Sequence, residues 1–291
     1  MAYILDIFRF GSSIEYEYKY KGNYGAKGEK RQPKKKATPE EIAKHNQYNK
    51  VKTVRRLIKS NFRKGDYWTT LTYPSGTGKS IKEVTKDLKN FLDRLRRVYK
   101  RAGEPCKYIY RIEIGSRGGI HIHIVLNRIP DLDLAIDEKW DHGHTHNELL
   151  DDGTYEELAK YITKQPTESQ MKLLKSIADS EDTGKLIRYS CSRNLTRPQP
   201  ERHIKSVATM KRIFNHDLTP APGYYIDKNS IVRGINPYTG MGYLHYQDVI
   251  LTKGVTAEPV KICECPHCHQ FTLDHYECGC QKIRKRGKRH G

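Results

Sequence analysis

The string Gly118-Gly119-Ile120-His121-Ile122-His123-Ile124-Val125-Leu126-Asn127 decides how this chain is read. Side chains alternate between the faces of a β-strand, so His121 and His123 share one face. Ile120, Ile122, Ile124 and Leu126 share the other, which is wholly apolar and asks for a helix layer. Two imidazoles side by side suit a divalent ion. A lone pair of this kind is more often two half-buried sheet histidines, so the preceding strand matters. That strand, Lys107 to Ile114, carries Glu113 and joins the next around Ser116-Arg117-Gly118-Gly119, a hairpin signal. An odd loop sets Glu113 opposite His121 on the histidine face. An even loop sends the carboxylate among the isoleucines, where it is costly unpaired. The pattern therefore selects its own register and offers Glu113, His121 and His123 as a metal-ligating set.

The flanks fit this core. Tyr67 to Tyr73 (Y-W-T-T-L-T-Y) reads as a strand of aromatic and β-branched residues. Ser80 with Glu83 is a capping box for a helix whose apolar stripe is Val84, Leu88, Phe91, Leu92, Leu95 and Val98. Thr38, Pro39 and Glu41 open an earlier helix to about Lys64, and residues 1–24 hold one or two short strands. Downstream, Asp131 to Asp152 reads as an irregular, acidic, histidine-rich connection. Thr154 with Glu157 reads as a second capping box, opening a helix to about Gln165. On that helix Tyr161 and Lys164 share a polar edge while Tyr155 faces the core. A further helix covers 167–180, and 183–262 show no clear pattern. The fold class is α+β: an antiparallel sheet of about five strands with helices on one face, plus a small C-terminal zinc-ribbon-like module. The expected divisions are a basic region 1–66, a core 67–182, an accessory region 183–262, and a zinc module with basic tail over 263–291.

Charge identifies the kind of partner. The chain has 291 residues, 53 Lys+Arg against 34 Asp+Glu, and a formal charge of +19. Most of the excess lies at the ends: residues 1–66 hold 17 basic and 7 acidic groups, and 281–291 hold 6 basic and none acidic. Such ends fit a polyanion, above all nucleic acid. Mean hydropathy is −0.81, and no apolar run approaches the roughly 20 residues of a membrane span. Met1 to Phe10 contains Asp6 and Arg9 and does not read as a secretion signal, so a cytoplasmic setting is expected.

The order of carboxylate, H-hydrophobic-H, then Tyr-x-x-Lys on a following helix resembles the HUH endonucleases of rolling-circle replication. Trp68 to Tyr73 resembles that family's first motif, Glu113, His121 and His123 its metal motif, and Tyr161 with Lys164 its tyrosine motif. The likeness covers roughly 1–250 and is nearest to replication-associated proteins of small phages, plasmids and integrative elements of Gram-positive bacteria. The stretches 86–97, 140–143 and 189–198 also fit. The resemblance implies an initiator that nicks and rejoins single-stranded or hairpin origin DNA. Tyr161 would form a 5′-phosphotyrosine link, Lys164 would assist it, and Mg2+ or Mn2+ would sit on the three ligands. Tyr155 stands six residues before Tyr161, not four, so a second nucleophile is not implied. A transposase or relaxase of the same chemistry, or a non-catalytic zinc-containing DNA-binding regulator, are the alternatives. Mobilisation relaxases place the tyrosine before the histidines, and this chain places it after.

Other motifs are weaker. Tyr73 to Ser80 ends like a phosphate-binding loop, but Tyr73 stands where glycine is required, so no nucleotide cofactor is expected. Unwinding would then fall to a host helicase, and synthesis to a host polymerase. His142, His144 and His146 lack an apolar back face and read as surface histidines. Five of the seven cysteines cluster near the C-terminus. Cys265 and Cys268, with Cys278 and Cys280, give two closely spaced pairs for structural Zn2+, with Cys263, His267 and His269 as spare candidates. DNA contacts are expected from Arg188, Arg193 and Arg197, and from Lys282, Arg284, Lys285 and Arg286 of the tail.

Overall fold

The computed structural model describes residues 2–21, 38–74, 77–115, 119–151, 153–177, 188–215, 218–236, 241–251, 262–264 and 271–273. Two antiparallel sheets carry the chain. The first, ordered β6-β3-β5-β4-β7, holds β3 (Tyr67–Thr72), β4 (Tyr108–Ile114), β5 (Ile120–Leu126), β6 (His144–Leu149) and the short β7 (Ser190–Cys191). This is the expected five-stranded sheet. Glu113 pairs with His121 and Arg111 with His123, the register the hydrophobic pattern requires. One face is then built from Leu71, Ile112, Ile122 and Ile124. Helix α2 (Ile81–Arg101) lays Val84, Leu88, Phe91 and Leu95 on it, and α3 (Leu132–Lys139) adds Leu132 and Ile136. Each large side chain buried there contributes about 1.5–3 kcal/mol.

Helices cover both faces, not one. The histidine face is polar only at its Glu113 end. At the other end Ile109 and Val125 are apolar, and their burial needs a second layer. That layer is α1 (Pro39–Asn61), through Val51, Val54, Leu57 and Ile58, together with α4 (Glu156–Thr163), through Ala159 and Ile162. The capping boxes of α1 and α2 form as read. The one expected for α4 does not. Tyr155 occupies the N-cap in the left-handed region, at φ 57°, and no side chain caps the helix. Helix α5 (Glu168–Ile177) follows.

The stretch 131–152 is also more ordered than its composition suggests, forming α3 and the edge strand β6. Gly143 makes this junction possible. Its φ is 151°, and a Cβ there would lie 2.1 Å from the Thr72 carbonyl oxygen, so only glycine admits so close an approach. Trp140 anchors it from the core side, packed edge-on against Tyr73 and Phe91.

The second sheet joins the two ends of the described chain. β1 (Ala2–Arg9) and β2 (Ser13–Lys21) form a hairpin. β8 (Glu201–Ser206) flanks β1, and β11 (Gly242–Ile250) flanks β2, with β10 (Val232–Ile235) and β9 (Tyr224–Ile226) on β11. One face buries Tyr3, Leu5, Ile7, Ile14, Tyr18, Leu244 and Tyr246, with Met210 of α6 (Val207–Asn215). The other face meets α1 through charge. Glu15, 2 % exposed, accepts from Arg55, from Arg56 Nε at 2.8 Å and from Lys59 Nζ at 2.9 Å. Arg56 also reaches Glu17, and Lys59 reaches Gln247. Helix α1 is thus apolar toward one sheet and cationic toward the other, which is how it lies between them. A last hairpin, β12 (Ile262–Glu264) with β13 (Phe271–Leu273), lies in the cysteine-rich stretch. Cys265, Cys268, Cys278, Cys280, Lys282, Arg284, Lys285 and Arg286 fall outside the described residues.

Burial raises the Glu15 carboxyl, but Lys59, Arg55 and Arg56 outweigh it and hold the group well below the usual carboxylate range. A depressed folded-state value contributes stability above the unfolded value of about 4.5, lost as pH falls through and below it. Glu15→Ala leaves three cations facing an apolar gap and is expected to cost about 3–5 kcal/mol. Urea denaturation at neutral pH measures this. The difference from the parent protein should shrink in acid, and a loss under about 1 kcal/mol at neutral pH would count against the network as the tie between α1 and this sheet.

Candidate active site

The site stands on the Glu113 end of the first sheet, and alternation builds it. Glu113, His121, Thr72 and His144 form one cross-strand row, and Arg111, His123, Thr70 and His146 the next, all on the face away from α2. Helix α4 crosses above them and brings Tyr161 down onto the first row. Tyr161 Oη donates to Glu113 Oε2 at 2.8 Å and lies 3.0 Å from His123 Nε2, and His123 Nε2 is 3.4 Å from the same carboxylate oxygen. Three groups far apart in sequence thus meet at one hydroxyl. Tyr161 is 38 % exposed, so the meeting point is open to a ligand.

A supporting layer fixes these groups. Thr70 Oγ1 lies 3.1 Å from His123 Nδ1, and Thr72 Oγ1 lies 3.3 Å from His121 Nδ1. A hydroxyl can donate or accept, so each threonine can hold its ring with Nε2 as the free nitrogen. Trp68 stacks on His123 with ring centres 5.4 Å apart and meets Tyr161 edge-on at 5.8 Å. Beneath them Arg111, 3 % exposed, donates from Nη1 to the carbonyls of Tyr161, at 2.9 Å, and Ile162, at 3.3 Å. A cation at a helix C-terminus is favourable and here fixes the turn that carries the phenol. From α1, Gln47 Nε2 donates to the Thr163 carbonyl and hydroxyl oxygens, holding the end of α4 from the other side.

The electrostatics are strongly coupled. The hydrogen bond with His123, opposed by burial and aided by Tyr161 and Arg111, holds the Glu113 carboxyl at about 2. Burial, then the Glu113 carboxylate, pushes the Tyr161 phenol well above its ordinary value. Burial and the neighbouring His123 lower His121. The phenol is therefore a poor nucleophile as it stands and needs positive charge beside it. Among the described residues no three His, Cys, Asp or Glu side chains are drawn together closely enough to hold an ion as they stand. Tyr161 Oη bridges Glu113 and His123 instead. The donor set itself suits a divalent ion: one carboxylate, two imidazoles whose Nδ1 atoms face hydroxyls, and an apolar back face.

The remaining expected residues are placed differently. Lys164 is the exposed C-cap of α4, which ends at Thr163, so its side chain leaves the helical edge expected for it. Arg188, Arg193 and Arg197 are exposed around β7, at the β4 edge of the sheet. His144 and His146 share the site's face but stand across β3 on the edge strand, both exposed, with His146 paired to Glu148 at 3.0 Å. Sequence reading did not single out Arg111, Trp68, Thr70 or Thr72 for these roles. The signal was present, since each lies two or four residues from a site residue, or directly opposite one, on the same face.

Residues 66–166 match a family model described as replication-associated protein, of the ORF2 type. No curated protein and no solved structure shows a significant match. The matched stretch runs from the start of β3 past the end of α4, and so contains Trp68, Thr70, Thr72, Arg111, Glu113, His121, His123, Tyr161 and Lys164. It supports a replication initiator role and DNA as the partner. Among the described residues no helix is long and apolar enough to cross a membrane.

In the metal-free protein the Tyr161 phenol should stay protonated well above pH 10, because ionising it sets two anions against each other. Glu113→Gln removes that repulsion and should bring the titration down toward 10. Carbon-13 labelling of the tyrosine ring Cζ, followed by NMR across pH 8 to 12 with Tyr161→Phe to assign the signal, checks this. An unchanged or raised midpoint in Glu113→Gln would contradict the bond geometry.

Proposed function

We propose that the chain is a rolling-circle replication initiator of the HUH type. It would nick and rejoin one strand of origin DNA through a 5′-phosphotyrosine intermediate. The observation that carries the reading is the meeting of Tyr161 Oη with Glu113 and His123 on the open face of the sheet. A phenol has few reasons to sit on a carboxylate and an imidazole at a solvent-facing site unless its proton is to be moved.

In the proposed reaction Tyr161 Oη attacks the scissile phosphorus, and the bond to the 3′-oxygen breaks. The DNA 5′-phosphate stays on the tyrosine, and the freed 3′-hydroxyl serves as primer. The phenol proton leaves along the bond to Glu113 Oε2 that already holds it. Glu113, His121 and His123 would hold Mg2+ or Mn2+, with Thr72 and Thr70 orienting the two rings. The bound ion would stabilise charge on the phosphoryl oxygens and on the phenolate. Arg111 and Gln47 keep the end of α4, and hence Tyr161, in line. Trp68 offers a ring beside the nucleophile on which an unpaired base can stack. Rejoining is the reverse attack, by a 3′-hydroxyl on the phosphotyrosine. Lys164, at the exposed end of α4, would contact the phosphate flanking the attacked one. A host helicase and polymerase would supply unwinding and synthesis in the cytoplasm of a bacterial host, and the cysteine pairs 265/268 and 278/280 would hold a structural Zn2+ beside the basic tail.

Incubation with labelled single-stranded origin-region DNA and Mn2+ should give a covalent adduct that survives denaturation. Tyr161→Phe should abolish the adduct and leave DNA affinity within about twofold, since the hydroxyl contributes to chemistry more than to phosphate contact. His121→Ala and His123→Ala should lose the adduct at any Mn2+ concentration that leaves the fold intact. Adduct formation by Tyr161→Phe would sink the assignment of the nucleophile.

A further inference from the structure

The apolar stripe of α2 faces the sheet, so its basic residues face outward, on the side opposite Tyr161. Between Arg94 and Arg101 five of eight residues are basic and none is acidic, while Leu95, Val98 and Tyr99 turn inward. Complementing a helix C-terminus needs one or two cations, not five. Arg94 is engaged with Asp141 and the Lys139 carbonyl, and Arg96 with Asp93 and Tyr108. Arg97, Lys100 and Arg101 are exposed, and none of them forms an ion pair among the described residues.

These residues shape the surface. Arg94, Arg97, Lys100 and Arg101, with Lys139 from α3, line an open concavity of about 770 Å³ that no other described residue lines. Lys100 also lines a second concavity, of about 860 Å³, whose far wall is Arg193 after β7. The two form one basic track across elements almost a hundred residues apart in sequence. Lys139 and Arg193 lie on other segments, so the track is made by the fold and not by one charged helix.

The chemistry of the track selects its ligand. Single-stranded DNA is held by aromatic platforms on which bases stack. The first concavity has none: Tyr99 and Trp140 are buried beneath it. The stacking groups, Trp68 and Tyr161, are on the opposite face. A cationic, non-aromatic hollow matches a sugar-phosphate backbone whose bases are turned inward, which is a duplex. We propose that this α2–α3 surface, continued to Arg193, docks duplex DNA while the opposite face handles the single strand. The proposal rests on the chain acting on DNA, and does not depend on Tyr161 being the nucleophile.

The test separates the two. All proteins carry Tyr161→Phe, so only binding is read. Into that background go Arg97→Ala, Lys100→Ala and Arg101→Ala together, three exposed positions whose loss leaves the core untouched. A control protein carries Lys44→Ala, Lys50→Ala and Lys211→Ala, equal in charge and exposed elsewhere. Affinity is measured against salt for a duplex of roughly 30 base pairs, about three helical turns, and for a single strand of the same length. The track variant should bind duplex at least about tenfold more weakly, with a salt slope lower by about 2 to 3, and bind the single strand within about twofold. Equal losses in the control, equal losses on both DNA forms, or no loss on duplex would each overturn the proposal. Failure of the adduct assay with the parent protein would overturn the reaction and leave this result standing.

Discussion

Side chains of a β-strand alternate with a period of two, and in β4 and β5 that period leaves one acceptable register. As paired, Glu113, His121 and His123 share a face, and Ile112, Ile122 and Ile124 are buried against α2. A slip of one residue would bury a carboxylate under Phe91 and Leu95 and expose isoleucines to water. The core thus fixes the site: the hydrophobic free energy that holds α2 on the sheet also holds the three polar groups in a row. The rest of the site follows from that row. Thr70 and Thr72 stand opposite the histidines because β3 pairs in step, and Arg111 sits beneath because it lies two residues before Glu113.

The second constraint is α1, which serves two different neighbours. Val54, Leu57 and Ile58 pack with Ile109 and Val125, while Arg55, Arg56 and Lys59 turn to Glu15 and Glu17 of the other sheet. Arg55 also reaches Glu156 at the start of α4, and Gln47 reaches Thr163 at its end. The helix that carries Tyr161 is therefore held along its length by α1 and from below by Arg111. A nucleophile placed on a short, uncapped helix needs such bracing, since geometry errors near 1 Å are costly in phosphoryl transfer.

The local parts of this arrangement were legible in the sequence. The isoleucine and histidine alternation, the stripe of α2 and the capping boxes of α1 and α2 each have a short-range signature. The second sheet has none. Its strands come from 2–21 and from 201–250, its inner face is largely tyrosine, and its outer face buries Glu15 and Glu17 with partners supplied by α1. Strand β6 escaped because an edge strand need bury little, and His-Thr-His-Asn-Glu shows no apolar alternation. The start of α4 was misread because Thr154 and Glu157 spell a capping box that the chain does not use. Tyr155, at φ 57°, turns the backbone before any cap can form. Arg111, by contrast, was readable from alternation alone.

The central claim is that Tyr161 is the group that takes the DNA strand, and its place in the sequence makes a direct test simple. Trypsin cleaves after Lys160 and after Lys164, so Tyr161-Ile162-Thr163-Lys164 is released as a short peptide, while Tyr155 stays in a different fragment. After reaction with origin-region DNA and Mn2+, followed by nuclease and trypsin, mass spectrometry should find the nucleotide on the 161–164 peptide. Attachment to the fragment holding Tyr155, or to any other tyrosine, would contradict the account.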